Sequence, residues 1–244
     1  MTQVAENKTA GFNMQRASTR FNMPRDTARF NMIEQQIRTW EVLDPKVLQL
    51  LHDLPRENFV PEAHQGLAFA DIEIPLGSNQ SEFGQSMLSP KLEARILQAL
   101  NIQKSDTVLH VGTGSGYFTA LLASMAKHVV SLEINAELSA TAAYKLSQNN
   151  IHNVTLELAD GSAGMPSKQP FDVIVFTGSS PVEPAMVRQQ LKVGGTMFIV
   201  LGQAPVMQAT LIQRVSETGF KQDVLFETCL SALENATQAK AFEF

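Results

Sequence analysis

The sequence is poor in cysteine and has no long apolar segment. Cys229 is the one cysteine among 244 residues, which excludes an internal disulfide and a cysteine-based metal cluster and is typical of a reducing cytoplasm. No apolar run approaches the roughly 20 residues of a membrane helix, and the polar N-terminus lacks the apolar stretch of a secretory signal. These deficits predict a cytoplasmic protein without a membrane partner or a metal site. Cys229, in an apparent strand, is interpreted as a small core residue.

Basic charge is also scarce over most of the chain. The sequence has 19 Lys and Arg against 24 Asp and Glu, a net charge of −5, which argues against nucleic acid as a partner. The hydrophobic fraction of 44% and the charged fraction of 18% are ordinary for a globular domain. Only the segment 1–38 reverses the balance, with six basic and three acidic side chains.

That basic segment contains a nine-residue repeat: FNMQRASTR, FNMPRDTAR and FNMIEQQIR follow one another. Nine residues make two and a half helical turns, so equivalent positions fall on opposite helix faces, and Pro24 interrupts a continuous helix. We therefore interpret residues 1–31 as a flexible basic arm and residues 32–244 as the folded domain. The alternative is an arm that docks on a partner or on the acidic body of the chain.

Strands and helices alternate from Asp106 onward. Apolar runs predict strands at 107–111, 128–134, 153–159, 171–178 and 195–201, with helices at 117–126, 136–150 and 184–191 between them. One or two earlier helices are expected from Met32, the second starting at Asp44 and Pro45, and a further helix is expected over 90–100, where Pro90 begins it. The runs 209–216 and 221–230 suit a hairpin around Thr218 and Gly219. The pattern predicts an α/β protein whose mostly parallel sheet has helices on both faces.

A glycine-rich loop follows the first of these strands. Its five residues, which lead into a helix, are Gly112, Thr113, Gly114, Ser115 and Gly116. Glycines let the backbone approach a ligand closely, and the carboxyl edge of a parallel sheet is the usual ligand site. The spacing G-x-G-x-G differs from the G-x-G-x-x-G of dinucleotide sites. It therefore favours S-adenosyl-L-methionine over a nicotinamide cofactor.

Acidic side chains follow the next two strands. Glu133, beside Ile134, is placed to accept hydrogen bonds from the two ribose hydroxyls of a nucleoside. Asp160, beside Gly161, is placed to meet the adenine amino group. We therefore predict that these four residues and the glycine loop form the cofactor site.

The chain from about Met32 to about Val206 resembles the protein-L-isoaspartate O-methyltransferase family. The segments MIEQQIR, PRENFVP, AFADIEIPLG, GQSMLSP, VLHVGTGSGY, LADG and LKVGGTMFIVLG fall in that family's order. The resemblance implies a Rossmann-like class I methyltransferase fold with a seven-stranded sheet, S-adenosyl-L-methionine as the methyl donor, and a cytoplasmic protein. It also implies protein repair, in which the carboxylate of isoaspartyl residues in damaged proteins or peptides is methylated. Carried over by motif, the cofactor is held by Gly112, Gly114, Glu133, Asp160 and Gly161.

Two positions depart from the family pattern. The family's substrate loop resembles G-Q-T-I-S-Q-P and its serine contacts the reacting carboxylate, but Leu88 occupies that position here, between Ser86 and Ser89. His110 stands where the family has an acid, and it is either a cofactor contact or a buried strand-end residue. We take Ser86, Leu88 and Ser89 as candidate catalytic residues.

These departures leave two hypotheses open. The first is an isoaspartyl carboxyl methyltransferase with an altered substrate loop. The second is a methyltransferase fold that acts on another substrate, or that binds the cofactor without turnover. A third class, an interaction module built on the basic arm, would not need the cofactor motifs.

Overall fold

The computed structural model describes residues 23–76 and 84–238. Its main sheet contains β3 Thr107–Val111, β4 His128–Glu133, β5 Val154–Leu158, β6 Phe171–Ser180, β7 Leu191–Gln203, β8 Val206–Arg214 and β9 Phe220–Glu227. The spatial order is β5-β4-β3-β6-β7-β8-β9. Pairs from β5 through β7 are parallel, whereas β8 is antiparallel to both its neighbours. The mostly parallel seven-stranded sheet and its C-terminal hairpin are confirmed.

Six α-helices lie along the described chain. They are α1 Met23–Asn31, α2 Pro45–Asp53, α3 Pro90–Leu100, α4 Tyr117–Met125, α5 Ala136–Gln148 and α6 Ala185–Arg188. A π-helical turn, Met32–Ile37, continues α1, and short 3-10 turns cover Arg38–Trp40, Arg56–Asn58, Glu62–Leu67 and Pro166–Lys168. A separate antiparallel pair joins β1 Ile74–Pro75 to β2 Ser86–Met87. This small pair carries part of the candidate site.

Helix ends follow the local chemistry of the sequence. Asp44 accepts a hydrogen bond from Lys46 N ahead of α2, and Asn135 accepts from Leu138 N ahead of α5, which satisfies amide groups that have no partner within the helix. Proline begins α2 and α3, where a missing N–H has no cost. These local signals fix the helices that lead toward the site.

Two segments differ from the sequence-based expectation. The helix expected over 184–191 is only Ala185–Arg188 long, because the buried Gln190 bonds to Met165 N and the Ala163 carbonyl and its own carbonyl accepts Phe171 N. The last strand ends at Glu227, and Cys229 is exposed. The expectation of a core cysteine was therefore wrong.

Part of the N-terminal arm is described. Residues 23–31 form α1, which runs directly into the π-helical turn whose Met32, Ile33 and Ile37 are buried. The Arg29 side chain, 12% exposed, pairs with Glu57 at 2.5 Å and lies over the Phe69 ring. Residues 1–22, which hold the first copy of the repeat, are outside the described residues. The flexibility of that part of the arm stays a prediction.

The core has one apolar layer on each face of the sheet. Side chains alternate along β3, so Val108 joins the layer under α2, α3 and α4, and Leu109 joins the layer under α6. Within residues 23–76 and 84–238, no helix combines the length and apolar character required to cross a membrane.

Candidate cofactor and active site

A cleft opens at the carboxyl ends of β3, β4, β5 and β6. Its volume, including space open to solvent, is about 790 Å³. The sequence-predicted residues that line it are Ser86, Leu88, Gly112, Gly114, Glu133, Ile134, Asp160 and Gly161. This edge of a parallel sheet is where open α/β folds bind ligands. The structure therefore brings members of both candidate sets, for cofactor and for catalysis, to one cleft.

The glycine loop forms one side of the cleft, and its glycines are required by the backbone and by close neighbours. Gly112 has φ +96°, and a Cβ there would lie 2.6 Å from the Thr177 hydroxyl oxygen. Gly161, which follows β5 and lies outside the loop, is restricted by a neighbour as well, because a Cβ there would lie 2.5 Å from a methyl carbon of Val111. Any larger residue at these two positions would displace its neighbour.

Glu133 connects the loop to the end of β4. Its side chain is 6% exposed, and its two carboxylate oxygens accept hydrogen bonds from Gly114 N at 2.8 Å and from Asn135 N at 3.0 Å. Each carboxylate oxygen can accept a second hydrogen bond. The carboxylate is thus fixed beside the loop with free acceptor capacity in a residue that lines the cleft.

Asp160 is held at the far end of the cleft. One carboxylate oxygen accepts from Ser162 N at 2.8 Å and the other from the Asn235 amide at 2.9 Å. Partial burial raises the pKa of Asp160, but the hydrogen bonds from Ser162 and Asn235 outweigh it and keep the pKa below its ordinary value. The side chain is therefore an ionised acceptor at neutral pH.

The remaining residues predicted for the cofactor site lie deeper. Thr113 and Ser115 line a smaller recess that shares Gly112 and Leu88 with the main cleft. Gly116 precedes α4 with φ +84°, packed against Ala142. His110 is fully buried beneath the loop, where burial lowers its pKa to about 3. His110 and Gly116 are not among the residues that line the cleft.

The substrate-loop candidates separate in the same way. Ser86 and Leu88 both line the cleft, two residues apart on extended chain, whereas the intervening Met87 is buried in the core. The Ser86 hydroxyl donates to Glu73 at 2.7 Å. Ser89 is the residue before α3, and its carbonyl accepts Glu93 N. Ser89 is not among the lining residues.

An ion pair that sequence reasoning missed supports the Leu88 backbone. Arg56, 1% exposed, contacts the carboxylate of Glu93 and donates to the carbonyls of Leu88 at 2.7 Å and Ala68 at 2.9 Å. Burial raises the pKa of Glu93, and the adjacent guanidinium only partly offsets that effect. The signal in the sequence that could have indicated this ion pair was the arginine, Arg56, within the otherwise partly apolar motif PRENFVP.

The C-terminal segment forms another part of the cleft wall, and sequence reasoning missed it as well. Residues 230–234 line the cleft. Ser179 N donates to the Ser231 carbonyl and Leu233 N donates to the Ser179 carbonyl, both at 2.9 Å, so this segment follows the end of β6. The Ser231 hydroxyl also donates to the Gly84 carbonyl. Only the folded chain joins these distant segments.

The strand order, the glycine loop after the central strand and the acid that ends the next strand define a Rossmann-like class I methyltransferase fold. Residues 27–235 match the model of the protein-L-isoaspartate(D-aspartate) O-methyltransferase (PCMT) family. The chain belongs to this family.

Curated relatives agree with this assignment. The protein-L-isoaspartate O-methyltransferase of Magnetococcus marinus is 38% identical over 186 residues, which cover 76% of this chain and 79% of the relative. That of Rhodopseudomonas palustris is 36% identical over 194 residues, 79% of this chain and 87% of the relative. The resemblance inferred from the motifs is confirmed.

Solved structures have the same fold. A protein-L-isoaspartate O-methyltransferase superposes with a TM-score of 0.73 at 22% identity, covering 86% of this chain and 66% of the other. A Plasmodium falciparum structure, titled as a putative protein-L-isoaspartate O-methyltransferase in complex with S-adenosyl-L-homocysteine, gives 0.71 at 17% identity, covering 86% and 98%. At these identities the two structures bear on the fold alone.

Proposed function

We propose that this protein is an S-adenosyl-L-methionine-dependent O-methyltransferase that methylates the carboxylate of isoaspartyl residues in damaged proteins. The observation that carries the proposal is the single cleft that joins the glycine loop to the substrate loop. The family match and the curated relatives support the first of the two hypotheses drawn from the sequence.

The residues of the cleft fit an adenosine-containing donor. Gly112 and Gly114 line the cleft, so a bound nucleoside would lie beside the loop backbone. Glu133 would accept from the ribose hydroxyls, and Asp160 would accept from the adenine amino group. Ile134 and Gly161 would border the base. Bound S-adenosyl-L-methionine supplies an electrophilic methyl group on a sulfonium.

The chain's own residues mainly position the two reactants. An isoaspartyl carboxylate is ionised at neutral pH, so its oxygen can attack without a general base. The donor would supply the methyl group: an O–CH₃ bond would form as the S–CH₃ bond breaks, with the electron pair of that bond left on sulfur. The products are the methyl ester and S-adenosyl-L-homocysteine. Alignment and exclusion of water are therefore the tasks of the protein.

Ser86 is the hydroxyl that we assign to the acceptor side. It lines the cleft two residues before Leu88, and its one hydrogen is donated to Glu73, so it would have to turn away from Glu73 to donate to the acceptor carboxylate. Leu88 presents an apolar surface to the acceptor and offers no side-chain donor. Ser89 would have no contact with the acceptor and would contribute only by starting α3, the helix that follows the substrate loop.

The partners follow from the reaction. They are proteins or peptides that carry isoaspartyl residues, and the activity would serve protein repair in the cytoplasm. The net charge of −5 disfavours nucleic acid as a substrate.

Transfer of a labelled methyl group tests the proposal. We expect label on a peptide that contains one isoaspartyl residue and none on the same peptide with ordinary aspartate. Base lability of the product would identify a methyl ester. Binding of S-adenosyl-L-homocysteine without methylation of the isoaspartyl peptide, together with label on another acceptor from a lysate, would favour the second hypothesis.

A further inference from the structure

A chain of neutral polar side chains lies beneath the glycine loop, and His110 is at its centre. His110 is completely buried on β3. Its Nδ1 lies 2.9 Å from the Thr119 hydroxyl and 3.1 Å from the Ser131 hydroxyl, and its Nε2 lies 3.2 Å from the Thr177 hydroxyl. Three elements therefore contribute a hydroxyl to one imidazole: α4, β4 and β6.

Hydrogen-bond counting assigns the tautomer of His110. The Thr177 hydroxyl has one hydrogen, which it donates to the Gly112 carbonyl at 2.7 Å and, more weakly, to the Val111 carbonyl at 3.1 Å. It can therefore only accept from His110, so the imidazole carries its hydrogen on Nε2. Nδ1 is then the acceptor for the hydroxyl of Thr119 or Ser131. No side chain in this chain of contacts needs to be charged.

Both ends of this series of side-chain contacts reach the glycine loop. On one side the Thr177 hydroxyl binds the Gly112 carbonyl, at the position where a Cβ would lie only 2.6 Å from that hydroxyl. On the other side the Ser131 hydroxyl lies 2.7 Å from the hydroxyl of Thr113. The loop is thus tied from below at two successive residues.

We infer that His110, as the Nε2–H tautomer, is a positioning residue that sets the conformation of the cofactor loop through Thr177 on one side and through Ser131 and Thr113 on the other. Neutral hydrogen bonds thereby support a loop whose family counterpart has an acid at this position. The inference rests on the proposed function, because it assigns the loop to the cofactor.

Two substitutions at His110 separate its two nitrogens. In His110→Gln the amide nitrogen stands near the former Nε2 and can still donate to Thr177. In His110→Asn the side chain is shorter and reaches only the region of Nδ1. We expect His110→Gln to bind S-adenosyl-L-homocysteine within about twofold of the wild type and His110→Asn to bind about five- to tenfold more weakly, the loss of one neutral hydrogen bond. Calorimetry measures both.

A double-mutant cycle distinguishes positioning from packing. Thr177→Val removes the hydroxyl and keeps the shape of the side chain, and Thr177→Ser keeps the hydroxyl. If His110 acts through Thr177, His110→Asn should weaken binding little further once Thr177→Val is present. If the two substitutions acted independently, the fold-losses in affinity of the single variants would instead multiply in the double variant. The NMR tautomer of His110 in the wild-type protein gives a readout that does not depend on any variant.

The sheet offers a matched control at its opposite end. His128 Nε2 lies 2.9 Å from the Thr155 hydroxyl, also across neighbouring strands, but at the start of β4 and β5. His128→Asn and Thr155→Val should leave the affinity for S-adenosyl-L-homocysteine unchanged.

The outcomes separate the inference from the proposed function. Wild-type protein that binds no S-adenosyl-L-homocysteine would overturn both. Wild-type binding with an Nδ1–H tautomer, with equal losses in His110→Gln and His110→Asn, or with multiplicative losses in the cycle would overturn the inference alone. If His110→Asn does not fold, the tautomer and the comparison of Thr177→Val with Thr177→Ser decide it.

Discussion

The two sides of the cleft are built in different ways. The cofactor side comes from one continuous stretch, residues 111–161, whose lining residues lie mainly at or just after the ends of β3, β4 and β5. The substrate side brings together the Arg56 turn, the β2 segment and residues 230–234, which are far apart in sequence. Each side departs from the family pattern at one position, His110 on the cofactor side and Leu88 on the substrate side. The two departures differ in position, because His110 is buried beneath the loop and Leu88 lines the cleft.

The largest effect on the substrate side is expected from disrupting the buried ion pair between Arg56 and Glu93. Glu93→Leu leaves the Arg56 guanidinium buried without its carboxylate partner, and we expect a loss of about 3–5 kcal/mol in the free energy of unfolding. The double variant Arg56→Met with Glu93→Leu should lose much less, because no buried charge is left. Urea unfolding of the three proteins measures this. Equal losses in the single and double variants would show that the pair does not act as a unit.

The cofactor side should respond to one carboxylate. Glu133→Ala removes the acceptor for Gly114 N and for the ribose, so we expect S-adenosyl-L-homocysteine to bind about 1.5–3 kcal/mol more weakly, the range for a hydrogen bond to a charged group. Glu157→Ala is the control for charge. It removes a carboxylate on β5 that pairs with Lys168, and this variant should bind S-adenosyl-L-homocysteine with normal affinity. Unchanged calorimetric affinity in Glu133→Ala would contradict the ribose assignment.

The same contrast explains what could be predicted from the sequence. Strand periodicity and the glycine spacing are local signals, so the sheet and the placement of Glu133 and Asp160 at its edge followed from them. The Asn235 contact with Asp160 and the Arg56 contact with the Leu88 carbonyl join residues far apart in sequence. No local pattern specifies such contacts, which depend on tertiary packing.

Loop chemistry also limited the prediction at single residues. Ser86 and Ser89 were equivalent candidates by sequence, but strand alternation turns Ser86 toward the cleft, while Ser89 precedes α3. His110 was left open between ligand contact and burial, and the structure places it beneath the loop. The difference in each case is one of side-chain direction, which a motif does not encode.

A substitution at Leu88 can restore the serine that the family has at this position of the substrate loop. Its side chain is 5% exposed and borders the cleft. Because Leu88 offers no donor, we expect the wild-type protein to have a low catalytic efficiency on an isoaspartyl peptide. Leu88→Ser adds a donor beside the acceptor carboxylate, and we expect the efficiency of this variant to be about ten- to a hundredfold higher. The measurement is kcat/KM for labelled methyl transfer.

A second variant at this position separates the hydroxyl from the space that is created. Leu88→Ala opens a similar cavity without a donor, and both variants should lose some stability because a buried leucine is truncated. The gain should therefore appear only in Leu88→Ser. An equal gain in Leu88→Ala would mean that Leu88 acts by bulk, and no gain in either would show that our alignment of this loop is wrong.

The smallest effect is expected from the N-terminal arm. Deletion of residues 1–22 removes the first copy of the nine-residue repeat and leaves α1 intact, so the melting temperature and the affinity for S-adenosyl-L-homocysteine should be nearly unchanged. Deletion of residues 1–31 is the contrasting variant, because it also removes Arg29 from Glu57, a pair in which both side chains are largely buried. That variant should lose about 1.5–3 kcal/mol of stability. A large loss in the shorter deletion would make the arm part of the folded domain, and a loss of peptide methylation at unchanged stability would make it a substrate-binding element.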